Sequence, residues 1–276
     1  MPMFHCGKFT LSFSRPLIMG IVNVTPDSFS DGGRCNTARS AVEHALRLVE
    51  EGADILDIGG ESTRPGAAPV SAGEELRRVL PVLEELSGKG VPLSVDTRKP
   101  EVMRAAIAAG ASLVNDINAL QSEGALEAVA ASGVGICLMH MRGEPQTMQR
   151  APHYIDVVAE VLDFLRGRVA AAEGAGIARD RLLIDPGFGF GKSLEHNLVL
   201  LRGLPRFAAL GVPVLAGLSR KSMLGKITGL EVGARVHASV AASSLAVLKG
   251  AKVVRVHDVK ATREALQVVA AIEEGL

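Results

Sequence analysis

The chain has 276 residues, 47% of them apolar, with thirty basic against thirty acidic side chains, one Tyr and no Trp. That length fits one large α/β domain with an aliphatic core, and the neutral balance removes the electrostatic case for a nucleic-acid or anionic-membrane partner. Cys6, Cys35 and Cys137 are odd in number and far apart, which argues against a disulfide framework or zinc motif and predicts reduced thiols in a cytoplasmic protein. The segment "MPMFHCGKFTLSFSRP" lacks the apolar core of a signal peptide, and the longest uncharged run, Val236 to Leu248, is too short to span a bilayer.

In chain order, "MFHCGKFTLSF" alternates around Cys6-Gly7 and predicts a hairpin. Eight short apolar runs follow, at 17–24, 53–60, 92–97, 112–118, 135–141, 182–187, 212–219 and 253–258. Stretches of helical periodicity come after them, at 37–52, 74–86, 100–110, 124–133, 155–176, 194–211, 236–250 and 259–272. In the first of these, Ala41, Ala45, Leu48 and Val49 share a face, and several of the stretches end in a glycine just ahead of the next run. Eight βα units predict a TIM (β/α)8 barrel over a single domain, residues 1–276, with the hairpin closing the barrel floor. A doubly wound open sheet is the weaker alternative, because no nucleotide fingerprint accompanies the strands. The connections 25–36, 61–70 and 220–235 read as long loops, and all three leave strand C-termini, the face where such barrels keep their active sites.

The stretch "IDPGFGFGKS" (184–193) resembles two phosphate motifs and matches neither. A P-loop would need glycine where Pro186 stands, and the dinucleotide fingerprint would need glycine in place of Lys192. Its glycines therefore predict a tight turn after Asp185, with Lys192 and Ser193 starting the next helix.

The polar residues at the strand ends carry the functional signal. They are Asn23; Glu61, Thr63 and Arg64; Asp96; Asn115 and Asp116; His140; Asp185; Ser219, Arg220 and Lys221; and Arg255, His257 and Asp258. Strand ends meet water and helices want caps, which accounts for any one of these; Asp116 and Asp258 in particular read as caps or loop anchors. It does not account for a ring around the whole barrel. Asp96, Asn115 and Asp185, with Lys221 beside them, offer the acceptors and amide that suit a flat nitrogen heterocycle. Asn23, Thr63, Arg64, Arg255 and His257 suit a phosphate or pyrophosphate, and an Asn carbonyl can ligate Mg²⁺.

Seven stretches resemble the bacterial dihydropteroate synthase family of pterin-binding barrels: "MGIVNVTPDSFSDGG", "DILDIGGESTRPGA", "SVDTRKPEV", "VNDINAL", "DPGFGFGKSLEHN", "GLSRKSMLG" and "RVHDV". The resemblance implies a transferase of folate biosynthesis. Its reaction condenses 6-hydroxymethyl-7,8-dihydropterin diphosphate with p-aminobenzoate to 7,8-dihydropteroate and pyrophosphate, with Mg²⁺ present. It further implies that Asp96, Asn115, Asp185, Met139, Lys221 and Arg255 bind the pterin. Asn23, Thr63, Arg64, Arg255 and His257 would hold the diphosphate, with Asn23 at the metal. Phe29, Thr63, Pro65, Phe190, Lys221 and Ser222 would form the p-aminobenzoate pocket, where sulfonamides compete. Asp96, Lys221, Arg255, Asp31 and Arg64 would act in catalysis, the loops carrying Asp31 and Arg64 closing over the site. A homodimer is implied as well, with the alanine-rich helix near Ala238 in the contact.

A methyltetrahydrofolate-type pterin-binding methyltransferase is the alternative, but it has no use for a diphosphate grip. His5, His44, His153, His196 and His237 receive no role, His140 is left open, and Arg98 and Lys99 are expected to open the third helix.

Overall fold

Two strands, β1 (Met3–Cys6) and β2 (Phe9–Ser12), pair antiparallel, as the alternation around Cys6-Gly7 predicts. Eight parallel strands then close a barrel: β3 (Leu17–Asn23), β4 (Ile55–Gly59), β5 (Leu93–Asp96), β6 (Leu113–Asp116), β7 (Gly135–Met139), β8 (Leu182–Asp185), β9 (Val214–Ala216) and β10 (Ala251–Val256). Each pairs with its sequence neighbour, and β10 returns to β3 to seal the ring. This computed structural model describes residues 3–25, 34–63 and 66–274, without the side chains of 34–37 and Glu274. Phe29, Asp31, Arg64 and Pro65 thus lie outside the described residues.

The helices are α1 (Arg34–Glu50), α2 (Ala72–Leu86), α3 (Pro100–Ala108), α4 (Ala125–Ala130), α5 (Val157–Gly174), α6 (Leu194–Arg202), α7 (Leu204–Ala208), α8 (Ser222–Thr228), α9 (Val236–Leu248) and α10 (Val259–Glu274). Local chemistry sets several of their starts. Ser71 caps α2, Asp156 accepts from the backbone N–H groups of Val158 and Ala159 at 3.0 Å, and Ser193 forms a capping box with His196. Some helices differ from the sequence reading. The stretch 194–211 breaks at Gly203, because the Leu204-Pro205 pair restarts the helix as α7. The connection 220–235, expected as a loop, contains α8. No helix among the described residues is long and apolar enough to cross a membrane.

Period-two alternation divides the strand residues between two cores. Outward residues such as Ile18, Leu56, Val95, Val114, Ile136, Ile184 and Val254 pack against the helices. Inward residues near the strand starts, Leu17, Met19, Ile55, Leu113, Cys137, Leu183, Leu215 and Val253, form a separate cluster with Phe4, Cys6 and Phe13 of the hairpin. The hairpin closes this end: Gly7 N–H donates to the Gly133 carbonyl at 2.8 Å, and a Cβ at Gly135 would lie 2.5 Å from the Phe4 ring. Burying a phenylalanine here stabilises the fold by roughly 1.5–3 kcal/mol.

Candidate active site

Two residues further along the same strands, the inward positions become polar. Ile55 gives way to Asp57, Leu113 to Asn115, Leu183 to Asp185 and Val253 to Arg255. The apolar floor is therefore roofed by a cup of charged groups at the C-terminal face, where the strand ends and βα loops lie.

Arg255 ties the cup together. Its Nε donates to Asp57 Oδ2 at 2.6 Å and its Nη2 to Asp96 Oδ2 at 2.8 Å. Asp57 is fully buried and also accepts from Ser94 Oγ at 2.5 Å and from Asn115 Nδ2 at 3.0 Å. A buried carboxylate persists only when its lone pairs are satisfied, and these donors satisfy Asp57. Opposite, Asp185 accepts from the Gly187 N–H at 2.7 Å. Asp185 Oδ2 and Lys221 Nζ each lie 3.8 Å, and Arg255 Cβ 3.9 Å, from the point where a side chain on Gly217 would begin. Asp96 Oδ2 lies 3.7 Å from the same point on Gly59. Both glycines face the cup, and a side chain at either would take up its space.

Burial drives the ionisation of this cluster. It pushes the Asp96 carboxyl up to about 7, with Asp57 adding to the rise and Arg255 opposing it. Burial likewise raises Asp185, against the pull of Lys221, and lowers Lys221 to about 8, against the pull of Asp185. Burial works against the Arg255 cation too, but Asp57 and Asp96 outweigh it and hold the guanidinium above its ordinary value. Three carboxyl groups thus share two cations. Ionisation of Asp96 adds one negative charge to the set.

Around the rim, Asn23 ends β3 half-buried and Thr63 stands half-buried in the β4–α2 connection. His257 Nδ1 lies 3.0 Å from Ser219 Oγ. Lys221 Nζ stands 4.6 Å from the centre of the Phe190 ring, and the exposed Ser222 begins α8 beside it. Met139 ends β7 buried, in register with Asp185. Of the expected set, Asp96, Asn115, Asp185, Lys221 and Arg255 gather at the cup, Phe190 joins it through Lys221, Asn23 ends β3 and Ser222 begins α8 at its rim, and Thr63 and His257 sit on the connections around it.

Other strand-end residues serve the loops, as the simpler reading of Asp116 and Asp258 holds. Asp116 accepts from the Asn118 and Leu120 N–H groups at 2.7 and 2.8 Å, and Asp258 takes Arg220 Nε and Nη2 at 3.0 and 2.5 Å. Arg98 and Lys99 do more than open α3, which starts at Pro100: Lys99 bridges Glu61 and Glu75, and Arg98 Nη1 reaches Glu144 at 3.0 Å. Ser193 caps α6 as expected, whereas Lys192 turns inward and is buried beside His140. Asp57 was missed by a reading confined to strand ends. The period-two phase carries its signal, since Asp57 follows Ile55 by the step that takes Leu113 to Asn115.

A polar cup at a barrel mouth belongs to many enzymes, and comparison with known proteins decides among them. The profile of the family described as pterin binding enzyme matches residues 19–257. The dihydropteroate synthase of Escherichia coli K12 is 52% identical over 272 residues, covering 98% of this chain and 96% of that protein. The chain belongs to the dihydropteroate synthase family. Among solved structures, a Xanthomonas albilineans dihydropteroate synthase with 4-aminobenzoic acid superposes with a TM-score of 0.94 at 60% identity, covering 99% of this chain and 98% of that one. The synthase of the same organism in complex with 7,8-dihydropteroate has a TM-score of 0.91 at 57% identity, with 99% of both chains covered. Dihydropteroate synthases are thus solved relatives that share this barrel over nearly its whole length.

Proposed function

We propose that the chain condenses 6-hydroxymethyl-7,8-dihydropterin diphosphate with p-aminobenzoate, releasing pyrophosphate. The observation that carries the reading is the Arg255 bridge between Asp57 and Asp96, facing Asp185 and Lys221 across Gly217. Asp185 accepts from the amino-pyrimidinone edge of the pterin, and Asn115 completes that contact. Lys221 serves the pterin carbonyl. The face of Arg255 packs on the ring, while guanidinium N–H groups outside its two carboxylate bonds reach toward the diphosphate. Asn23, Thr63, Arg64 and His257 hold that diphosphate. Phe29, Pro65, Phe190 and Ser222 serve the aminobenzoate side, where a sulfonamide competes, and Asp31 and Arg64 act in catalysis.

When the methylene C–O bond breaks, its electron pair leaves with the diphosphate and positive charge develops on the dihydropterin. The lone pair of the neutral aryl amine then forms the C–N bond, and the nitrogen loses a proton to water or to the departing pyrophosphate. An aryl amine is a weak nucleophile, so stabilising the cation lowers the barrier more than activating the attacker would. The negative charge that ionised Asp96 brings to the cup is suited to this cation, and the rim cations to the departing anion. No general base is required for attack.

Mg²⁺ fits as part of the diphosphate substrate. Among the described residues no three His, Cys, Asp or Glu side chains gather to hold a metal, and Mg²⁺ is commonly held by phosphate oxygens and water with few protein ligands. The Asn23 carbonyl is the protein oxygen we assign to it. Cys6 and Cys137 are free and buried, which supports a reducing cytoplasmic setting. A second copy of this chain is the partner we propose for the packed helices α9 and α10, which expose Leu245, Leu248, Val268 and Ile272.

The test is pyrophosphate release from purified protein. It is expected to require both the pterin diphosphate and p-aminobenzoate; release at the same rate without p-aminobenzoate would refute the reading.

A further inference from the structure

The loop from Gly187 to Gly191 returns its backbone so tightly that side chains, rather than a sheet, satisfy its carbonyls. Lys192 Nζ donates to the carbonyls of Gly187 and Phe190 at 2.8 and 3.0 Å, and Lys221 Nζ donates to that of Phe188. Gln149 Nε2 donates to the Gly189 carbonyl and Tyr154 Oη to that of Gly191, at 2.5 and 3.0 Å. The glycines permit this: Gly187 and Gly191 have φ of +70° and +63°, and a Cβ at either would lie 1.9 Å from the His140 carbonyl oxygen or 2.2 Å from that of Arg142.

Lys192 is the inner pin of the loop. It is 2% exposed, and its Nζ lies 2.9 Å from His140 Nδ1. The His140 ring is itself fixed edge-on against Phe164, with centroids 4.9 Å apart. Burial and the neighbouring Lys192 lower the His140 pKa to about 2, so the imidazole is neutral and can present a lone pair at Nδ1. The lysine of this phosphate-motif look-alike is thus spent on the protein's own carbonyls.

We propose that Lys192, seated on His140, is a positioning residue for the aminobenzoate side of the site: by gathering the 187–191 loop it fixes the Phe190 ring and the Phe188 carbonyl that holds Lys221. The proposal rests on the aminobenzoate pocket proposed above. A loosened loop displaces Phe190 from the second substrate, whereas Asn115 and the Arg255 bridge are held by other strands; Asp185 and Lys221 touch the loop only through the Gly187 N–H and the Phe188 carbonyl, so the larger effect falls on p-aminobenzoate and the smaller on the pterin.

Lys192→Met is expected to raise KM for p-aminobenzoate and Kd for a sulfonamide about tenfold, with Kd for the pterin diphosphate by calorimetry changed less than about twofold. His140→Leu should do the same. His140→Asn, which keeps an acceptor near the place of Nδ1, should stay close to the parent; this pair decides the matter if Lys192→Met fails to fold. In a Phe190→Ala background, Lys192→Met should add less than half of its effect in the parent. An unchanged KM, equal loss of both substrates, or full additivity with Phe190→Ala would overturn the proposal. If Phe190→Ala itself leaves KM for p-aminobenzoate unchanged, the pocket reading falls, and the positioning role falls with it.

Discussion

The two ends of the barrel are made from the same strands and do opposite work. At the floor, Ile55, Leu113, Leu183 and Val253 meet Phe4 and Phe13 of the hairpin in a cluster that contains no ion pair. Two residues on, Asp57, Asn115, Asp185 and Arg255 build a cup in which buried charges answer one another. One step of strand periodicity separates a region that stabilises from one that reacts. The backbone follows the same division. Among the described residues, the non-glycine positions with positive φ are Ala119, Leu120 and Arg220, all in loops leaving strand C-termini at the mouth. Strained backbone of this kind concentrates at functional ends, where the surroundings hold it in place.

The largest effect comes from removing the mouth's central cation. Arg255→Met leaves Asp57 and Asp96 buried without their partner, which should cost about 3–5 kcal/mol of stability and reduce turnover by roughly a thousandfold. Urea unfolding and the pyrophosphate assay measure the two losses. A folded variant with near-parent turnover would mean that the bridge is structural alone. The opposite end is tested by Phe4→Ala, expected to cost about 3–5 kcal/mol through the cavity it leaves, with kcat/KM of the folded protein unchanged. A specific kinetic defect in Phe4→Ala would join floor to mouth and break the division.

Most of this architecture was legible in the sequence, because the eight apolar runs and the helical stretches between them are local signals. The ring at the strand ends was legible for the same reason. What escaped depends on contacts across long separations. Lys192 meets His140 from 52 positions away; by local rules a Lys-Ser pair before a helical stretch reads as a helix start, and only Ser193 obeys them. The bonds from Arg255 to Asp57 and Asp96 span 198 and 159 positions, and Asp57 stands inside an apolar run where attention to strand ends passes over it. Helix α8 was hidden because "SMLGKIT" is short and broken by Gly225.

Ionisation sharpens the comparison without any mutation, since the apolar cluster at the floor contains no carboxylate, lysine or histidine and burial raises its two thiols, Cys6 and Cys137. Asp96 ionises at about 7 and Lys221 loses its proton at about 8. If the anion stabilises the pterin cation and the ammonium binds its carbonyl, kcat/KM rises as pH climbs through about 7 and falls again above about 8. The two limbs belong to the interacting cup and not to either residue alone. Lys221→Arg, whose cation does not titrate there, should remove the descending limb. A profile flat from pH 6 to 9 would take both groups out of the rate-governing step.

The smallest expected effect concerns the strain held at the mouth. Ala119 has φ of +51° and Leu120 +58°, in the loop after β6. Asp116 grips this turn through the Asn118 and Leu120 N–H groups, and Arg168 donates to the carbonyls of Ala119 and Leu120 at 2.7 and 3.0 Å. A left-handed alanine costs roughly 1–2 kcal/mol, whereas glycine gives back about 0.5–1 kcal/mol through the freedom of the unfolded chain. Ala119→Gly should therefore be neutral or stabilise by up to about 1 kcal/mol, with kinetics unchanged, as thermal unfolding and the pyrophosphate assay would show. A clear loss of activity with gained stability would mean that the strain at this turn is used by the cup, through Asn115 on the strand that feeds it.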